Sequence, residues 1–142
     1  EARSNLGQLI AEKGDLEGGI QQFRKAIELN PWITRAHLNL GVALAKQGHL
    51  EAAIPPLQRA TDLVQNYSEA YYYLGSVYAA LGRYDQAAKC FQDVLRIQGS
   101  HAAAHQSLAE VLSLQGKKEE AYQHYQEAVR LMRAQIDSRG VR

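Results

Sequence analysis

The chain has 142 residues, 46% hydrophobic and 22% charged, a composition ordinary for a compact soluble domain or a short repeat array. Its 16 basic and 15 acidic residues are interspersed and leave a formal charge of +1, which excludes the basic footprint of a nucleic-acid binder and any strong pull toward an anionic membrane. A single cysteine, Cys90, excludes an intrachain disulfide and a cysteine-rich zinc site and is compatible with a reducing compartment, slightly favouring the cytoplasm. No apolar run approaches the roughly 18 residues of a membrane span, so no membrane insertion is expected. The opening residues EARSN fall inside the first predicted helix, as they would in a piece of a longer protein.

Taken from the start, the chain repeats itself every 34 residues, and this period organises everything else. Residues 1–33 carry Leu6, Gly7 and Ile10 on a first helical stretch, a break at Gly14, then Gly19, Phe23 and Ala26 on a second. Residues 34–67 repeat the series as Leu40, Gly41, Leu44, Gly48, Ala53, Leu57 and Ala60. Here Pro55 and Pro56 fall well inside the second stretch. Each removes a backbone donor at a cost of roughly 3 kcal/mol, so this helix is expected to start late or to bend. Residues 68–101 give the clearest pattern: Tyr71, Leu74, Gly75 and Tyr78 follow the i, i+3, i+4, i+7 spacing of one apolar helix face, Gly82 ends it, and Ala87, Phe91 and Val94 resume it. Residues 102–135 close the array with Leu108, Ala109, Leu112, Gly116, Ala121, Tyr125 and Ala128, and 136–142 prolong the last helix. Sustained alternation and Asn-Gly turns are missing, so the expected class is all-α.

The 34-residue pair of helices, with Leu-Gly, Gly, Ala, Phe or Tyr, Ala and Pro31 at set positions, resembles the tetratricopeptide-repeat family; residues 5–31, NLGQLIAEKGDLEGGIQQFRKAIELNP, match its pattern well. The resemblance implies a right-handed α-solenoid of antiparallel helix pairs whose concave wall is made by the first helix of each unit. It departs from the family pattern at the fourth position of the unit, which is aromatic only as Tyr71 and otherwise Arg3, His37 and His105. The scaffold serves many partners, so it does not by itself define a function.

At about 100° per residue, positions 4, 7, 8 and 11 of each first helix share the buried side, while positions 2, 6, 9 and 13, flanked by 5 and 12, share the open side. On that criterion the groove is lined by Asn5 and Gln8, then Arg35, Leu38, Asn39, Val42 and Lys46, then Glu69, Tyr72, Tyr73 and Ser76, and finally Gln106 and Glu110. Amides, hydroxyls, a few apolar groups and charges of both signs suit an extended peptide or a helix as protein partner. In the run Tyr71-Tyr72-Tyr73 the first belongs to the core with Tyr78, and the other two straddle the open face. The carboxylate clamp of chaperone adaptors, built of lysines, asparagines and an arginine, would use Ser4, Gln8, Asn39, Glu69 and Tyr73; only Asn39 fits and Glu69 would repel the ligand, so that function is not expected. Asn5 and Asn39 resemble the asparagine ladder of the protein O-linked sugar transferase superhelix, interrupted here by Tyr73 and Ser107.

No catalytic constellation, cofactor motif or metal set emerges. His101 and His105 are four apart without a third ligand, Cys90 has no fixed basic neighbour that sequence can identify, and GKKEE at 116–120 lacks the residues of a phosphate loop. Trp32 is expected to cover the joint between the first two units. The last helix carries Tyr122, Val129 and Met132 toward a missing neighbour, so either the array continues or this end meets another subunit, giving a homo-oligomer through terminal helices. The expected function is a non-enzymatic interaction scaffold; the alternatives are a targeting or regulatory segment of a larger enzyme such as a glycosyltransferase, and a self-assembling structural module.

Overall fold

The structure, a computed structural model, describes residues 1–140; of the expected extension 136–142, residues 141 and 142 lie outside it. Eight helices are present among the described residues: α1 Ala2–Glu12, α2 Leu16–Leu29, α3 Thr34–Lys46, α4 Leu50–Leu63, α5 Ser68–Ala80, α6 Tyr84–Ile97, α7 Ala102–Leu114 and α8 Lys118–Gly140. There is no strand among the described residues. Each helix packs on the next, odd helices touch the next odd helix, and no contact reaches further along the chain. That nearest-neighbour pattern makes the molecule a solenoid of stacked helix pairs.

Glycine makes both the turn and the close packing of each pair. Gly14, Gly48, Gly82 and Gly116 take φ values of 97°, 86°, 74° and 81° just after an odd helix. In the third pair the Gly82 N–H donates to Ala79 O at 3.0 Å and the Arg83 N–H to Tyr78 O at 2.9 Å, which satisfies two carbonyls at the helix end. The glycine of each Leu-Gly dipeptide serves packing instead. A Cβ on Gly41 would stand 2.5 Å from Leu57 Cγ, and one on Gly75 would stand 2.9 Å from Phe91 Cε1. The odd helix therefore runs directly against the large side chain of its partner.

The buried side of the odd helices is wider than helical periodicity predicts. Ala36, Ala70 and Ala104, at position 3, and Ala43, Val77 and Val111, at position 10, are all buried although they lie outside the expected stripe. The reason is that each odd helix after the first has two neighbours, its own partner and the even helix of the preceding pair. Small residues at position 3 let that second neighbour approach.

Two local expectations are corrected, the late start of α4 and the cover provided by Trp32. Helix α4 starts at Leu50 and runs unbroken through both prolines, with the same 14 residues as α2 and α6. The carbonyls that lose a donor belong to Glu51 and Ala52, both exposed residues, where solvent can satisfy them. Trp32 does not cover the first joint: it is 70% exposed, with the Arg59 guanidinium 5.2 Å from its ring centroid. Its backbone N–H donates to Asn30 Oδ1 at 3.0 Å, which fixes the turn without burying the indole.

Gly41→Ala is expected to lower the unfolding free energy by about 1–3 kcal/mol through overpacking against Leu57, and Gly82→Ala by about 1–2 kcal/mol through left-handed backbone strain. Denaturant titration with an unchanged slope checks both, and a variant as stable as the parent contradicts the packing account.

Candidate functional site: the concave groove

The odd helices build one wall, and between the first three of them lies a recess of about 190 Å³. It gathers Gln8, Arg35, Leu38, Asn39, Val42, Lys46, Glu69 and Tyr73, eight of the expected lining residues, together with Ala11 and Glu12. Leu16, Phe23 and Ala43 also reach it, which angular reasoning on the odd helices alone did not anticipate, because Leu16 and Phe23 come from α2. Leu38 is corrected in role: at 1% exposure it is floor, held in the core beneath the groove by the same second neighbour that buries position 3.

The electrostatics of the recess are balanced. Arg35 and Lys46 face Glu12 and Glu69 across it, and no ion pair among the described residues engages any of the four. Gln8 donates to Glu12 Oε1 at 3.0 Å. The Nδ2 of Asn39 is buried and has no hydrogen-bond partner. A buried unsatisfied donor costs about 1–3 kcal/mol, a penalty recovered if the Asn39 amide turns into the recess to meet a carbonyl.

The other expected lining residues do not join this recess. Asn5 lies in a separate depression with Ser4, Asn30, Trp32 and Arg35. Tyr72 is committed to internal packing: its ring stacks on His101 at 5.3 Å, lies 5.7 Å from Phe91, and its hydroxyl is 3.4 Å from Ser107 Oγ. It braces α5 against α6 and α7, whereas Tyr73, its equally half-buried neighbour at 6.2 Å, lines the recess. Ser76 spends its hydroxyl on Tyr72 O at 2.9 Å, and Gln106 pairs with Glu110 at 3.3 Å on exposed α7. No sequence signal separated Tyr72 from Tyr73, because the separation depends on His101 arriving from the N-cap of α7.

Profiles of tetratricopeptide repeats match residues 34–66 and 66–134, and a TPR-repeat profile matches residues 7–48. The chain is a tetratricopeptide-repeat protein. No curated protein sequence matches it. Among solved structures, one described as the crystal structure of MamA superposes with a TM-score of 0.92 at 27% identity, over 95% of this chain and 79% of that one. MamA 41-end from Desulfovibrio magneticus RS-1 superposes at 0.88 and 22% identity, over 94% of this chain and 75% of that one, a likeness of fold alone.

In this tetratricopeptide-repeat array the histidines have structural duties. His101 Nδ1 accepts the Ala104 N–H at 3.0 Å and so caps α7. His37 and His105, in the position where the third repeat has Tyr71, each bring Nε2 to a carbonyl of the preceding turn, Pro31 O and Gly99 O, at 2.9 Å. With its Nε2 proton directed at Gly99 O, a neutral His105 presents the Nδ1 lone pair to His124 Nδ1, 3.0 Å away, so His124 donates. No group of three or more His, Cys, Asp or Glu among the described residues could hold a metal. Cys90 is buried, and desolvation, helped by Asp93, pushes its thiol up to about 12.

The His124 pKa is lowered, first by burial and then by His105, against an opposing pull from Glu120. The unfolded chain takes up this proton at the ordinary 6.5 while the folded chain resists it, so stability is full above 6.5 and declines as pH falls below it. Melting curves across that window are expected to show the decline, and His124→Gln to flatten it.

Proposed function

We propose that this repeat array is a non-enzymatic protein-interaction scaffold that holds an extended peptide segment in the groove between α1, α3 and α5. The single observation that supports the reading is Asn39, whose buried amide donor stands unpartnered in the recess beside Tyr73. A helical ligand satisfies its own backbone carbonyls, whereas an extended segment carries free ones, and a free carbonyl is what Asn39 lacks. Tyr73 adds an aromatic wall, and the unpaired Arg35, Lys46, Glu12 and Glu69 favour a segment with charges of both signs. Aromatic anchors flanked by complementary charge are the usual seat of binding energy.

Selection of binders from a displayed library of short unstructured peptides tests this directly. Tyr73→Ala and Asn39→Ala are each expected to weaken the selected peptides by about 1–4 kcal/mol without loss of helix content. Trp32→Ala, outside the recess, leaves binding unchanged. Tyr72→Ala is expected to lower the melting temperature instead, because it loosens the joint with α7. Peptides indifferent to both groove substitutions overturn the reading.

A further inference from the structure

Helix α8 has 23 residues, whereas the other seven have 11 to 14. In the 34-residue register the turns between pairs fall at 30–33, 64–67 and 98–101, and the equivalent stretch 132–135 is helical. No fifth odd helix starts in register at 136, since α8 still occupies 136–140. The 34-residue register is therefore interrupted within α8.

Along this prolonged helix, Tyr122, Tyr125, Val129, Met132 and Ile136 recur with spacings of three, four, three and four, and they are 62%, 38%, 47%, 38% and 67% exposed. In the earlier repeats the first two positions are buried: Ile20 and Phe23, Ile54 and Leu57, Ala88 and Phe91. The three-four spacing is the seam of a two-helix coiled coil. It lies roughly 100° round the helix from Ala121, Ala128 and Leu131, which face the core. Charge along the helix is polarised: Lys118, Glu119, Glu120 and Glu127 leave −2 on its N-terminal half, and Arg130, Arg133, Asp137 and Arg139 leave +2 on its C-terminal half.

We infer that α8 pairs antiparallel with α8 of a second copy of this chain, forming a twofold dimer. The antiparallel sense lays each negative half on a positive half, opposes the two helix dipoles, and sets the tyrosines against the partner's aliphatic half. Such a surface is self-complementary, as a twofold interface requires. It leaves the groove of α1, α3 and α5 open, so it stands independently of peptide binding.

Sedimentation of the full chain over a range of concentrations tests the pairing. The parent is expected to reach twice the mass of the Val129→Glu variant, which stays monomeric with unchanged helix content, while Leu9→Glu at the opposite end remains dimeric. A second seam variant, Tyr122→Lys, is expected to match Val129→Glu. In an antiparallel pair two copies of residue 122 lie on the order of 15 Å apart or more, at about 1.5 Å per residue, so dimers of Tyr122→Cys do not cross-link to themselves under mild oxidation. A parent that is monomeric at every concentration overturns the proposal. So does open-ended growth abolished by Leu9→Glu, which means head-to-tail stacking, and so does ready self-linking of Tyr122→Cys, which means a parallel pair.

Discussion

The rest of the fold depends on one contact repeated along the chain: a glycine on each of the first three odd helices pressed against a large side chain on the partner helix. Gly7 meets Phe23, Gly41 meets Leu57 and Gly75 meets Phe91, each so close that a Cβ would need something to shift. This contact sets the separation within a pair, and the positive-φ glycine a few residues later turns the chain at the right length to make it. Once pairs have a fixed thickness, small residues at position 3 let them stack in a fixed manner. The fourth pair departs from this. Ala109 stands where the others have glycine, and its counterpart Tyr125 is 38% exposed where Phe23, Leu57 and Phe91 are buried.

Stacking in turn creates the groove and decides its chemistry. The recess between α1, α3 and α5 exists because neighbouring odd helices touch only lightly while their partners carry the stack. Its floor comes from core residues, its rim from side chains one turn apart on different helices. The Asn39 amide nitrogen is left buried without a hydrogen-bond partner, as are Ser4 Oγ and Gln115 Oε1, and of these three residues only Asn39 lines this recess.

The joints between pairs use histidine where an aromatic would serve. His37 and His105 reach a carbonyl of the preceding turn, so a side chain in a buried slot still satisfies its polar atom. His101 both caps α7 and stacks on Tyr72, coupling the start of the fourth pair to the wall of the third. The contact of His105 with His124 then ties α7 to α8.

The sequence by itself determined the architecture: the 34-residue period, the glycine breaks, the all-helical class and the tetratricopeptide-repeat membership were all legible, because each rests on local spacing that no distant contact can alter. It also marked eight residues of the recess, since angle around a helix follows from position along it. What only the tertiary structure decided was the fate of side chains with two possible neighbours. Leu38 became floor, Tyr72 became a brace under His101, Trp32 stayed in solvent beside Arg59, and α4 ran through its prolines. In the first three cases the outcome depends on a group brought from another helix. In the last it depends on the freed carbonyls facing water, which the sequence of α4 does not contain.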